Sequence, residues 1–268
     1  MKVISDGSQW WVIGKSSSGL TARALWTPAD ITTKLWLDAS DASTIFEDDT
    51  AGDVSKWTDK SGNGGNVTQA TLSRQPTIAT AAINGLNAIS PQSRSQWLEN
   101  LTFNNTFASV QIISVASLAS TADPYKRVYT IKDSGTVDGL SLRQNSMTSS
   151  LQAIIDSDSS GALYPGYASG GYLVPFLSSQ YYDGSNLYQN LDGTLKTTTA
   201  VTGNILSDTI LIGSDGGSYS WDDGFIGEIV ILANTDETMR HKVEGYLAWK
   251  WGLEANLPND HPYKSAAP

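Results

Sequence analysis

Acidic oxygens and aromatic rings occur together in one polar loop near the C-terminal third of the chain. This loop, Ser214–Asp223, carries the carboxylates Asp215, Asp222 and Asp223 and the rings Tyr219 and Trp221. Calcium prefers hard oxygen ligands, so the three aspartates form a candidate metal site. A sugar ring can stack on an aromatic face, so Tyr219, Trp221 and Asp222 are candidate glycan-binding residues. Asp and Gly also dominate ordinary turns, and an ordinary turn is the alternative interpretation.

A second set of aromatic residues could form a recognition surface. It consists of Tyr164 and Tyr167 in the stretch Tyr-Pro-Gly-Tyr, together with Tyr181 and Tyr182. Tyrosine-rich surfaces suit recognition because each ring has an apolar body and a polar tip. The alternative is that these rings alternate into the core. Tyr181 and Tyr182 are therefore also candidate glycan-binding residues.

Catalytic residue patterns are missing from the sequence. Glycosidases use two carboxyl groups across the scissile bond, about 5 Å apart in the retaining enzymes. Glu228 stands alone in an apolar stretch. The two histidines, His241 and His261, have no suitably spaced Ser or Asp partner for a triad, so a packing role is expected for both. We expect a protein that is not an enzyme.

A strand followed by a helix is predicted at the C-terminal end. Phe225–Leu232 is an apolar run rich in β-branched residues, which is typical of a core strand. Asn234 and Glu237 have the spacing of a capping box, and apolar residues then recur at helical intervals. The sequence predicts a helix over about 235–251, ended by Gly252.

The remainder of the chain indicates an all-β fold. Short apolar or alternating segments such as Val110–Ala116, Arg127–Ile131 and Thr209–Ser214 are separated by turns rich in Gly, Asn and Asp. With 268 residues, the chain is long enough for one large β domain with a sizeable core. One helix cannot build such a core alone, so we expect it to cover part of a β structure.

The first residues predict a separate hairpin. Lys2–Ile4 and Gln9–Ile13 flank an Asp-Gly turn, and a Ser-rich linker, Lys15–Gly19, follows. We predict two units, residues 1–24 and 25–268. A lone hairpin is marginally stable, so it needs a partner surface. The candidate attachment or oligomer contacts are Ile4, Trp10, Trp11 and Val12; the alternative is that a tryptophan folds back onto the main domain.

Charge and composition exclude several classes of partner. The chain has 27 acidic against 17 basic residues and a net charge of −10, without a cluster of Lys or Arg. Nucleic-acid binding needs clustered cations, so it is not expected. Cysteine is absent, which excludes disulfides and thiolate metal sites. The sequence predicts neither a signal peptide nor membrane insertion.

A set of motifs recurs from the first strand of the main unit to the C-terminal end of the chain. They are Leu35–Asp41, Trp57–Gly64, Gln75–Thr77, Ile226–Ile229, Lys242–Leu253 and Asp260–Tyr263. Together these motifs resemble the concanavalin A-like lectin/glucanase domains of laminin-G type found in bacteriophage and bacterial surface proteins. The resemblance implies an antiparallel jelly-roll sandwich with the C-terminal helix packed at an edge or across one end. It also implies a particle surface as the setting, and laminin-G-like domains often hold calcium.

The resemblance gives the functional expectation. It implies a non-enzymatic phage virion structural protein, made in the host cytoplasm and displayed on the particle as a capsid decoration, head fibre or tail fibre component. The expected partners are other virion proteins and, by analogy with fibre proteins, further copies of the chain in a trimer. The alternative is a carbohydrate-binding adhesin that recognises host-surface glycans. Glycan hydrolysis is a third hypothesis.

Overall fold

The computed structural model describes residues 2–5, 10–13, 23–24, 26–48, 52–118, 125–134, 139–145, 150–165, 168–169, 174–217 and 219–268. The first strands in chain order are β1 (Lys2–Ser5), β2 (Trp10–Ile13), β3 (Arg23–Ala24), β4 (Leu35–Asp38), β5 (Ile45–Glu47), β6 (Val54–Trp57), β7 (Val67–Thr68), β8 (Thr77–Ile83), β9 (Leu86–Ser90), β10 (Leu98–Asn100) and β11 (Asn105–Phe107). They are followed by β12 (Val110–Leu118), β13 (Arg127–Lys132), β14 (Leu140–Gln144), β15 (Ser150–Ser157), β16 (Gly161–Leu163), β17 (Ala168–Ser169), β18 (Phe176–Tyr182), β19 (Asn186–Leu191), β20 (Thr194–Ala200), β21 (Ile205–Ser207), β22 (Thr209–Ile212) and β23 (Gly224–Leu232). One α-helix, α1 (Glu237–Lys250), follows β23.

Two large antiparallel sheets form a sandwich. The eight-stranded sheet has the order β20-β19-β18-β12-β23-β9-β8, and β4 also pairs with β23. The ten-stranded sheet has the order β16-β15-β14-β13-β22-β10-β7-β6-β5, and β17 also pairs with β15. A short ribbon of β11 and β21 stands beside them. This arrangement confirms the predicted all-β sandwich with a C-terminal helix.

The main core lies between the two sheets. Ile112 and Ile229 from the eight-stranded sheet and Ile210 from the ten-stranded sheet belong to one buried cluster. The Tyr129 hydroxyl donates to the Gln180 side chain across the sandwich, 2.7 Å away, so a buried polar pair also joins the sheets. Burial on this scale is the dominant stabilising contribution.

The central strands are buried on both faces, and this explains their continuous apolar sequences. In β12, Ile112 points into the sandwich, whereas Ile113 and Val115 join a second cluster with Val243 and Leu247 of α1. Helix α1 therefore covers the outer face of the eight-stranded sheet. A strand covered on both faces needs no polar alternation.

The N-cap of the helix lies two residues after the predicted one. Asp236 is the N-cap, and its side chain accepts a hydrogen bond from the Met239 amide at 3.0 Å. Asn234 instead accepts from the Asp236 amide at 3.2 Å. The prediction that Asn234 caps the helix is therefore wrong, because Asn234 shapes the turn that precedes the cap.

The first strands pair as the predicted hairpin. In β1 and β2, Ile4 lies opposite Trp11 and Val3 lies opposite Val12. Strand β3 joins β2, and within the described chain these three strands pair only with one another. The Asp-Gly turn and the Ser-rich linker lie outside the described residues. The unit boundary after residue 24 and the contact roles of Ile4, Trp10, Trp11 and Val12 stay predictions.

Candidate functional site

Trp221 is a core residue and not an exposed stacking platform. Its side chain has no solvent exposure, and its indole N–H donates to the Ser117 carbonyl oxygen at 2.9 Å. The ring also meets Phe176 edge to face, with 6.4 Å between centroids. The prediction of a glycan contact at Trp221 is corrected, because no face of this ring is open to a sugar.

The three aspartates of the loop do not form a shared ligand set. Asp215 closes its own turn by accepting from the Gly217 amide at 2.9 Å. Asp222 and Asp223 both face the buried Lys126 ammonium, at 3.4 and 3.8 Å. Asp222 is itself 8% exposed. Because Asp222 is largely buried and faces the Lys126 ammonium, the arrangement favours an ion pair over the predicted calcium site and over the predicted glycan contact at Asp222.

The neighbours Tyr181 and Tyr182 point to opposite sides of β18. Tyr182 is buried, and its hydroxyl donates to the Gly203 carbonyl oxygen at 2.5 Å. Tyr181 is half-buried and stacks on Tyr188, with ring centroids 4.5 Å apart, while the Arg240 guanidinium covers it at 4.9 Å. Tyr182 is thus unsuited to direct contact with a ligand, and both faces of Tyr181 have partners within the chain.

The structure instead places two tyrosines around Arg143 and a third tyrosine beside Arg127. The Arg143 guanidinium carbon lies 4.7 Å from the ring centroid of Tyr125 and 5.1 Å from that of Tyr164. Tyr125 in turn meets Tyr219 edge to face at 5.7 Å, and Arg127 lies 6.0 Å from the Tyr219 ring. We call Tyr125, Tyr164, Tyr219, Arg127 and Arg143 the tyrosine–arginine cluster.

Three strands of the ten-stranded sheet position the cluster. Arg127 on β13 lies opposite Arg143 on β14, which lies opposite Gln152 on β15. The Gln152 amide oxygen accepts two N–H groups of Arg143, at 2.9 and 2.6 Å, and its amide nitrogen donates to the Pro165 carbonyl oxygen at 2.8 Å. This chain of hydrogen bonds ties the arginine to the residue beside Tyr164.

Tyr125 has an unusual backbone conformation. Its φ of 66° lies in the left-handed region, which bulky residues rarely adopt. Such conformations persist only where the surroundings enforce them, and they concentrate at functional sites. Here the strained residue supplies the ring that joins Arg143 to Tyr219.

The cluster presents aromatic surface to solvent. Tyr164 and Tyr219 are 55% and 37% exposed, so parts of their rings face solvent. The guanidinium holds two of the rings in place, and each cation–π contact contributes about 0.5–1 kcal/mol at exposed sites. Tyr219 and Tyr164 were predicted as separate candidates, whereas Tyr125, Arg127 and Arg143 were missed. The available signal was Arg143 within the alternating strand Leu140–Gln144.

A second cluster contains potential metal ligands. One ligand atom from each of His241, Glu244 and His261 lies within 4.8 Å of the others. The Arg240 guanidinium contacts both Glu244 carboxylate oxygens, at 3.0 and 3.3 Å, and its Nη2 lies 3.2 Å from His241 Nε2. Because a guanidinium only donates, His241 Nε2 accepts from it.

Both ring nitrogens of His261 are also hydrogen-bonded within the chain. Its Nδ1 accepts from the Tyr263 amide at 3.2 Å, so its Nε2 carries the proton and donates to Glu244 at 3.2 Å. Burial alone would raise the pKa of Glu244, but the hydrogen bond from His261 and the charge of Arg240 hold it below its usual value. The hydrogen bond between His261 and Glu244 therefore joins the C-terminal tail to α1. This agrees with the expected packing role of both histidines.

A buried ionic network anchors the other end of α1. Glu228 on β23 accepts from the indoles of Trp36 and Trp251 at 2.7 and 2.8 Å, and from Lys250 at 2.5 Å. Lys250 also pairs with Asp38 at 2.6 Å. Burial and the nearby Asp38 charge raise the pKa of Glu228, whereas Lys250 and Lys60 outweigh burial and hold the pKa of Asp38 well below its usual value.

Comparisons with known proteins give matches in structure only. No protein-family model and no curated protein sequence matches the chain. The ligand-binding domain of botulinum neurotoxin serotype D, solved with N-acetylneuraminic acid, aligns with a TM-score of 0.58 and 14% identity over 81% of this chain and 51% of that one. The receptor-binding domain of botulinum neurotoxin D aligns with a TM-score of 0.57 and 12% identity over 80% of this chain and 52% of that one.

A glycosidase is also similar. A mutant GH54 α-L-arabinofuranosidase, soaked with 4-nitrophenyl α-L-arabinofuranoside, aligns with a TM-score of 0.52 and 17% identity over 72% of this chain and 50% of that one. The chain has the concanavalin A-like lectin fold. It spans about half of the length of these structures. Across the described part of the chain, no helix has the length and apolar character needed to cross a membrane.

Proposed function

We propose that this protein is a non-catalytic glycan-binding module whose tyrosine–arginine cluster contacts the sugar. The observation that carries the proposal is the arrangement of partly exposed tyrosine rings around two neighbouring guanidinium groups, those of Arg127 and Arg143, on a sandwich with the fold of lectin domains. Aromatic faces bind the apolar faces of sugar rings, and their hydroxyl groups supply hydrogen bonds. Similarity to neurotoxin domains, one of them solved with N-acetylneuraminic acid, supports the same class of ligand.

Catalysis is not part of the proposal, and the facing carboxylates Asp38 and Glu228 are inaccessible to a substrate. Asp38 and Glu228 lie opposite each other on β4 and β23, but both are buried and both bind Lys250. A glycosidase must present its two carboxyl groups to a substrate. Release of sugars from a polysaccharide panel by the purified protein would contradict this part of the proposal.

The experiment is glycan-array binding by the wild type and by variants of the cluster. Tyr164→Ala and Tyr219→Ala each remove one stacking face, and we expect each to weaken binding about threefold to tenfold. Phe46→Ala is the matched control, because Phe46 is 45% exposed and also carries a cation over its ring, that of Lys56. Equal binding by all four proteins would place the sugar elsewhere, and no binding to any glycan would contradict the function.

A second candidate function is display on a virus particle, with other virion proteins as partners. The supporting observation is the set of strands β1, β2 and β3, which pair with one another and with no described strand of the sandwich. Such a unit could attach the sandwich to another protein or to further copies of the chain. Removal of residues 1–24 should leave a folded sandwich that no longer joins particles. Retained incorporation would contradict an attachment role.

A further inference from the structure

A shallow polar groove lies between the β11–β21 ribbon and the turn after β13. Its volume is about 430 Å³, within the range of small-molecule sites. The lining residues are Asn104, Asn105, Thr106, Asp133, Ser134, Leu206, Ser207 and Asp208. Arg127 of the tyrosine–arginine cluster begins β13, and Asp133 follows the end of that strand, so roughly 20 Å of extended chain separates them. The groove is a separate surface.

Hydrogen bonds within the chain fix the shape of the groove. In the ribbon, Asn105 lies opposite Ser207, and the Ser207 hydroxyl donates to the Phe103 carbonyl oxygen at 3.2 Å. The Asp208 carboxylate accepts from the Ser134 amide at 3.0 Å and from the Thr209 hydroxyl at 2.8 Å. A site whose polar groups are already held needs little reordering when a ligand binds.

The groove has an anionic lining. It contains the carboxylates of Asp133 and Asp208, and the described residues that line it include no Lys, Arg or His. The nearby Lys132 ammonium donates to the Asp215 carbonyl oxygen at 2.9 Å. Hydrogen bonds from Thr209 and Ser134 lower the pKa of Asp208, so that carboxylate is charged at neutral pH. An anionic ligand would be repelled here.

The polar groups match those that bind sugar hydroxyls. Carboxylates accept hydrogen bonds, the amides of Asn104 and Asn105 both donate and accept, and the hydroxyls of Thr106 and Ser134 do the same. Leu206 adds a half-buried apolar surface. We propose that this groove is a second ligand site, which binds an uncharged saccharide unit and discriminates against acidic sugars. This proposal does not depend on the tyrosine–arginine cluster being the first site.

Saturation-transfer NMR with methyl α-glucoside, methyl α-mannoside and methyl β-galactoside tests the proposal, with methyl glucuronoside as the charged counterpart. Thr106→Trp places a large ring in the groove at a strand position that tolerates aromatic residues. Thr198→Trp is the matched control, because Thr198 is an exposed threonine on strand β20. We expect a neutral glycoside to bind the wild type and Thr198→Trp but not Thr106→Trp.

Charge variants test the ligand class. We expect the glucuronoside to bind the wild type about tenfold more weakly than the glucoside, and this difference should shrink in the double variant Asp133→Asn and Asp208→Asn. Asp260→Asn, at an exposed carboxylate in the C-terminal tail, should leave the difference unchanged. The proposal is overturned if no neutral glycoside binds, if Thr106→Trp binds normally, or if the glucuronoside binds as well as the glucoside.

Discussion

His241 shows how one partly buried side chain makes stability depend on pH. Burial, followed by the adjacent charge of Arg240, lowers the pKa of His241 below 6.5, although Glu244 and Glu237 act in the opposite direction. In the unfolded chain the histidine takes up a proton near its ordinary pKa, whereas the folded protein does so only at lower pH. The unfolded state therefore binds more protons below about pH 6.5, and stability falls as the pH drops.

We predict that His241→Gln reduces this loss of stability. The measurement is the free energy of unfolding in denaturant titrations as the pH falls from about 7 to about 5, the range in which histidine titrates. Thr238→Gln, on the same helix and without a titratable group, is the control and should follow the wild type. A His241→Gln protein with the wild-type pH dependence would contradict the role of this histidine.

At the scale of elements, the contact between β23 and the end of α1 depends on a glycine. A Cβ atom at Gly227 would lie 2.8–3.0 Å from three ring carbons of Trp251. The ring cannot move away freely, because its indole N–H is bound to Glu228. The absence of a side chain at Gly227 thus allows the helix end to approach the sheet.

We predict that Gly227→Ala lowers the free energy of unfolding by about 1–3 kcal/mol, the usual cost of overpacking a core. Gly217→Ala is the control, because a Cβ atom there would meet Asp215 at an ordinary 3.5 Å and the substitution should have an effect within about 0.5 kcal/mol. Denaturant unfolding measures both. Equal stability of the two variants would show that Trp251 can be displaced at no cost.

At the scale of the whole molecule, the eight-stranded sheet brings together strands from distant parts of the sequence. Strand β23 pairs with β12 on one side and with β4 and β9 on the other. Strands β4 and β9 consequently lack their pairing partner in the middle of the sheet until the C-terminal strand β23 is available. Sheets built from such non-local pairs fold slowly, because the entropy of loop closure is lost before the stabilising contacts form.

We predict that a protein ending at Asp223 does not fold, whereas a protein beginning at Trp26 does. Trp26 is retained because its ring packs edge to face on Tyr246, 6.2 Å away. Circular dichroism and NMR dispersion distinguish the two outcomes. A folded chain without β23 and α1 would contradict the central place of β23.

The sequence alone determined the fold class and the positions of the main elements. Apolar runs such as Phe225–Leu232 and Val110–Ala116 predicted buried strands, and the structure has β23 and β12 there. The apolar spacing also predicted α1, although its cap is Asp236 and not Asn234. These features are local in the chain, because periodicity and turn chemistry act over a few residues.

Only the tertiary structure decided which side chains meet. Trp221 and Tyr219 are two residues apart in one loop, yet the first is buried and the second is partly exposed. The tyrosine–arginine cluster joins Tyr125, Arg143 and Tyr219, which no sequence spacing relates. Strand register and the packing of one sheet on another set these contacts, and both depend on residues far apart in the chain.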